Sequence, residues 1–166
     1  MIKIDTESKL KYKLYKINQS ITSKIWKNLN LTPPIDIFKI LNSCNIYWVE
    51  NKSLNVDAFL NENCIEYNNE DYSFVTLRFS ILREFCNYLY NQFNIVSQYK
   101  HNYLYKILYH FGVNDCAASL LVPNDRLLNV SFFEDTNKIA DYFQVNPRII
   151  NIRKKLLIEG EYFNNV

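Results

Sequence analysis

The chain has 166 residues, enough for one domain with a buried core. Hydrophobic residues make up 48% and charged residues 22%, which excludes a disordered chain, and a net charge of +2 is too small to mark a nucleic-acid binder by bulk charge. Two glycines against 13 tyrosines and 11 phenylalanines exclude a glycine-rich phosphate cradle and favour helices.

The first expected element is a helix from about Ser8 to Leu29. Leu10, Leu14, Ile17, Ile21, Ile25 and Leu29 recur at helical steps and fit one buried stripe. Pro33-Pro34 breaks the chain, and a short helix resumes from Ile35 to Leu41. Residues 45–49, 55–60 and 64–67 are short β-branched or aromatic runs separated by Asn- and Glu-rich turns. They read as a three-stranded antiparallel sheet. A long helix follows the 68–71 loop and runs to about Phe93, with the stripe Val75, Phe79, Leu82, Cys86, Leu89 and Phe93. Another covers Tyr103 to Leu121 and stops at Pro123. The chain closes on two helices, Thr136 to Phe143 and Pro147 to Leu157, with Asn146 as N-cap and Pro147 at the first helical position. The fold class is α+β, mainly helical.

Cys44, Cys64, Cys86 and Cys116 form no Cys-x-x-Cys pair and read as buried apolar side chains of a reduced protein. No apolar run reaches the roughly 20 residues of a membrane span. Lysine and glutamate interrupt the first turns, where a signal peptide needs its apolar core, so a cytoplasmic protein without membrane partners is expected. Lysines cluster at Lys9, Lys11, Lys13 and Lys16 and basic residues again at Arg153, Lys154 and Lys155, and both clusters read as solvated helix faces.

Three motifs, in order, carry a resemblance. Pro34-Ile35-Asp36-Ile37 opens the first; Arg78-Phe79-Ser80-Ile81-Leu82-Arg83-Glu84-Phe85-Cys86-Asn87 has the frame of a His-Glu-x-x-His helix; and Ala117-Ala118-x-Leu120-Leu121-x-Pro123 follows. The C-terminal pair from Ile139 to Arg153 completes the order. This order is similar to the ImmA/IrrE family of metallopeptidase-like proteins over residues 34–160. The resemblance implies a zincin-like core. It divides the chain into an N-terminal helix (1–32), the core of sheet and two central helices (33–130) and a C-terminal helical pair (131–166).

The resemblance also implies a lost metal site. Arg83 and Asn87 stand where the family has its two histidines, and Gly112 stands where it has the third ligand, a glutamate. A guanidinium has no lone pair to give a metal, Asn87 offers only a neutral oxygen, and Gly112 has no side chain. Glu84, the family's general base, has no metal-bound water to activate. The vestigial site is therefore Arg83, Glu84, Asn87 and Gly112, with no catalytic residue, no metal and no cofactor expected. His101 and His110 are nine residues apart on one helix and cannot chelate from one face. Cys86 and Cys116, with Glu84 or His110, are the alternative donors for a rebuilt soft-metal site.

Arg83 needs acceptors if it is buried. An Arg83–Asp115 pair replacing the metal as the cross-link between two helices is one expectation, and Arg83 snorkelling into an open cleft is the other. The function implied is that of an inactive pseudopeptidase that binds a protein, such as a transcriptional repressor of a phage or mobile element. Tyr88, Tyr90 and Tyr103 are candidate partner-binding residues, tyrosine being favoured at interfaces. Two alternatives stand beside it: a DNA-binding regulator using the C-terminal pair in the manner of a helix-turn-helix, and an active metallopeptidase with a rebuilt site.

Overall fold

The computed structural model describes residues 6–101, 103–130 and 135–164, with backbone only for Gln98 and for 161–164. Among the described residues seven α-helices and three strands follow one another as α1 (Thr6–Leu29), α2 (Ile37–Ser43), β1 (Tyr47–Glu50), β2 (Ala58–Asn61), β3 (Cys64–Tyr67), α3 (Phe74–Gln92), α4 (Tyr105–Leu121), α5 (Asn124–Asn129), α6 (Thr136–Phe143) and α7 (Pro147–Asn164). The chain is thus mainly helical with a small sheet. No helix among the described residues is long and apolar enough to cross a membrane.

Local chemistry starts several helices where their side chains can cap free N–H groups. The Asp36 carboxylate accepts from Phe38 N and Lys39 N at 3.0 and 3.2 Å, and Ser73 Oγ accepts from Thr76 N at 3.3 Å. Asp135 caps α6 through Asn137 N at 2.7 Å, and Asn146 Oδ1 accepts from Arg148 N at 2.9 Å at the start of α7. Between α6 and α7 the backbone turns through Gln144 in the left-handed region (φ 52°).

The sheet is mixed, not antiparallel as expected. Its order is β1-β3-β2, with β1 parallel and β2 antiparallel to β3. β2 and β3 form a hairpin closed by Glu62 and Asn63, with Glu62 at φ 55°. The long 51–57 loop carries the chain past β3 before β2 begins, which gives the length that a parallel return requires. Fully buried Asn68 holds this loop by donating to Leu54 O at 3.0 Å and Asp71 Oδ2 at 2.9 Å. Runs of similar apolar strands do not encode which neighbour each will pair with.

α4 is the central helix: it packs against α1, α3 and α7, while α3 also carries β2 and β3. From Asp115 to Leu121 every residue of α4 is buried, as a helix enclosed on all sides requires. One cluster of buried side chains runs from Leu14 of α1 to Ile150 of α7. The buried faces differ from the expected stripes. On α1 the buried residues are Leu14, Tyr15, Asn18, Thr22 and Trp26, whereas Ile17 is 37% exposed. On α3 Leu82, Cys86 and Leu89 of the expected stripe are buried, but the buried face widens to take in Leu77, Arg78, Ile81, Phe85 and Tyr90, whereas Phe93 at the C-cap is 71% exposed.

Candidate binding cleft and the polar network behind it

A polar cleft of about 290 Å³ opens between α3 and α4, lined by Arg83, Glu84 and Asn87 on one side and Tyr109, His110, Val113 and Asn114 on the other. The i, i+1, i+4 spacing puts the three α3 side chains on one edge of the helix. Arg83 donates from Nε to Glu84 Oε1 at 3.2 Å, and its Nη2 lies 3.2 Å from the same oxygen and 3.7 Å from Asp57 Oδ1. Asp57, just before β2, also accepts from Ser80 Oγ, so it ties the sheet to α3. Glu84 Oε2 accepts from Asn87 Nδ2 at 3.4 Å, and Asn87 Oδ1 accepts from the Tyr109 hydroxyl. Burial raises the Tyr109 phenol above its ordinary value, with the neighbouring Tyr105 adding to the effect, so it stays a donor at neutral pH.

The Arg83–Asp115 pair does not form. Arg83 reaches its immediate neighbour Glu84 and Asp57, and Asp115 faces away from the cleft into the interior, where it meets Arg153. Gly112 does not line the cleft either, although Arg83, Glu84 and Asn87 do. It faces Tyr90, and a Cβ built there would lie 2.7 and 2.8 Å from Tyr90 Cε1 and Cζ. The residue of α4 that meets Asn87 is Tyr109, three positions earlier.

Behind the cleft lies a chain of buried polar groups that the sequence reading did not assemble. The Tyr90 hydroxyl donates to Asn18 Oδ1 at 2.8 Å, and Asn18 Nδ2 donates to Gly112 O at 2.9 Å and Asp115 Oδ2 at 2.8 Å. Arg153 donates from Nη1 to Asp115 Oδ1 at 2.8 Å, from Nε to Val122 O at 3.1 Å and from Nη2 to Asn124 Oδ1. Asn124 Nδ2 in turn donates to Tyr15 Oη at 2.6 Å. Arg153 and Asp115 are both buried, so five elements (α1, α3, α4, α5 and α7) meet through one desolvated ion pair. Burial pushes the Asp115 carboxyl above its ordinary value, with Arg153 and the Asn18 and Ser119 donors opposing that shift. Burial likewise holds Tyr90 far above the usual phenol range.

Two signals for this network existed. Asn18 and Thr22 stand four apart on the first helix, in phase with Leu14 and Trp26. Gly112 is one of two glycines and sits inside a helix, which marks a close approach by a neighbour.

The remaining candidates fall in different places. Tyr90 is 1% exposed and is withdrawn from any binding surface, because Gly112 leaves room for its ring in the interior. Tyr88 is half-buried against the core, and Tyr103 is 88% exposed just before α4. Cys86 and Cys116 are fully buried, and burial raises the Cys86 thiol well above its ordinary value, so it is a poor nucleophile. Among the described residues, no three His, Cys, Asp or Glu side chains are placed to hold a metal ion. In the C-terminal pair Arg153 is interior, while Arg148 and Lys155 are exposed and Lys155 lies 3.7 Å from Glu159. No protein-family model, curated protein or solved structure matches this chain.

Proposed function

We propose that this chain is a degenerate member of the ImmA/IrrE metallopeptidase-like family, with a zincin-like core, that acts by binding a protein and not by hydrolysing one. The observation that carries the reading is the α3–α4 cleft. Its α3 wall is Arg83-Glu84-Asn87, the frame of a His-Glu-x-x-His helix, and each of these side chains is bonded within the protein. The metal that the resemblance implies does not fit these residues. The Arg83 guanidinium is a permanent cation beside Glu84, and the Tyr109 hydroxyl points a proton at the one Asn87 oxygen that could serve a metal. What the wall keeps is a polar concavity with donors and acceptors, which suits recognition of a partner's chain. A transcriptional regulator of a phage or mobile element is the partner class the resemblance suggests.

The test is affinity capture of the tagged chain from the cell that makes it, alongside metal analysis. Asn114 is exposed at the cleft, so Asn114→Arg fills the cleft without touching the core. The expected result is a co-purifying protein that Asn114→Arg loses and Lys138→Ala, on exposed α6 surface, retains. Capture indifferent to Asn114→Arg overturns the reading. So does one zinc per chain with a peptidase activity that Glu84→Gln abolishes.

A further inference from the structure

The solvent face of α1 is a stripe of lysines. Lys9, Lys13, Lys16, Lys24 and Lys27 are all exposed. At about 100° per residue they fall within about 80° of arc, opposite the face formed by Leu14, Asn18, Thr22 and Trp26 that is buried in the fold. At 1.5 Å per residue the stripe is about 27 Å long. Among the described residues none of the five makes an ion pair; Lys16 Nζ lies 4.9 Å over the Tyr12 ring, still on the surface. The only acidic residue of α1 is Glu7, which is engaged by Lys11 near the buried side. The rest of the chain, outside 6–29, carries thirteen Lys and Arg against sixteen Asp and Glu. The small net charge therefore conceals a strong asymmetry: one basic helix face on an otherwise acidic protein.

We propose that this face binds the phosphate backbone of duplex DNA without sequence preference. A straight row of cations with no acidic residue among them matches a linear polyanion better than it matches the mixed charges of a folded protein surface. Lysine is a flexible point charge, and the sector holds no Arg, Asn or Gln to read base edges, so the contacts position the duplex without selecting its sequence. Ser20 lies in the sector between the lysines, with Ser23 just outside one edge and Ile17 just outside the other. A membrane-surface helix needs a broad apolar face next to its lysines, and that face of α1 is already buried in the fold. Single-strand binders present a row of aromatic platforms, and only Tyr12 lies at the rim here. This surface is separate from the α3–α4 cleft, and the inference does not depend on what the cleft binds.

The test is fluorescence anisotropy of the full chain with labelled 20-base-pair duplexes of two unrelated sequences, at 50–200 mM salt. With five lysines engaged, log K is expected to fall against log salt with a slope of about −4.5, equally for both sequences. The quadruple variant Lys13→Gln, Lys16→Gln, Lys24→Gln, Lys27→Gln is expected to bind at least about 100-fold more weakly at 50 mM salt, with a slope near −1. Its thermal melt should match the parent's, because all four side chains are exposed. The control Lys100→Gln, Lys106→Gln, Lys138→Gln should bind as the parent does. No duplex binding at 50 mM salt overturns the proposal, as does binding that the quadruple variant retains. Tighter binding to phosphatidylserine vesicles than to duplex overturns it in favour of a membrane.

Discussion

Gly112→Ala tests whether the interior depends on the close approach of Tyr90 to α4. Helix propensity alone favours the substitution by about 1 kcal/mol, because glycine is a poor residue inside a helix. The packing opposes it. The added methyl would meet Tyr90 Cε1 and Cζ at 2.7 and 2.8 Å, against an optimum of about 3.5–4.0 Å between carbons, so the ring must retreat by about 1 Å. The Tyr90–Asn18 bond, now 2.8 Å, would stretch beyond bonding range and leave two buried polar groups unpaired. Overpacking costs about 1–3 kcal/mol, and a broken buried hydrogen bond costs about 1–3 kcal/mol more. Net of the propensity gain of about 1 kcal/mol, a loss of about 1–5 kcal/mol is expected in urea unfolding. Each kcal/mol lowers Tm by about 2–4 °C in a chain of this size. Tyr90→Leu removes the opposing atoms, so the double variant should lose at least about 1 kcal/mol less than the two single losses together. A Gly112→Ala protein as stable as the parent, or more so, would show that propensity wins and refute the packing argument.

Removing the cation of the interior pair should be the more damaging change. Arg153→Met leaves Asp115 buried and unpaired and is expected to cost about 3–5 kcal/mol in urea unfolding, with Asp115→Asn in the same chain recovering part of that loss. Additive losses would sink the pairing. Arg83→Ala should cost no more than about 1 kcal/mol, since its side chain is 35% exposed and its ion pairs are screened by water. That cost should add to the loss in Asp115→Asn, and a coupling energy above about 1 kcal/mol would reinstate an Arg83–Asp115 interaction.

Element order was legible because it rests on local signals. Asp36, Ser73, Asp135 and Asn146 begin helices where their short polar side chains can cap, and Pro123 interrupts the chain at the end of α4. What was not legible depends on neighbours distant in sequence. Ile17 fits an apolar stripe by periodicity, yet Asn18 is buried in its place because Tyr90, Gly112 and Asp115, 72 to 97 residues away, satisfy its amide. The parallel pairing of β1 with β3 depends on where the 51–57 loop lands, and no residue of β1 specifies that. Arg153 read as a surface charge for the same reason: its acceptors Asp115, Val122 and Asn124 lie on elements brought together only by the fold.

The two polar systems of the α3–α4 region differ in what they contribute. In the interior, Asp115 and Arg153 are both buried, so each is tolerable only while the other remains, and neither can change alone without a large loss of stability. In the cleft, Arg83, Glu84 and Asn87 keep contact with water and make bonds that the solvent can replace at little cost. Cys86 and Cys116 lie buried in the α3–α4 core, between helices that carry both systems. The cleft residues can therefore vary at little cost to stability while the interior holds α1, α3, α4, α5 and α7 in place. A site that holds a metal has no such freedom, because its ligands must keep a fixed geometry. Stability measurements can separate the two cases, because a recognition cleft predicts large binding losses with small stability losses at Asn87, Tyr109 and Asn114.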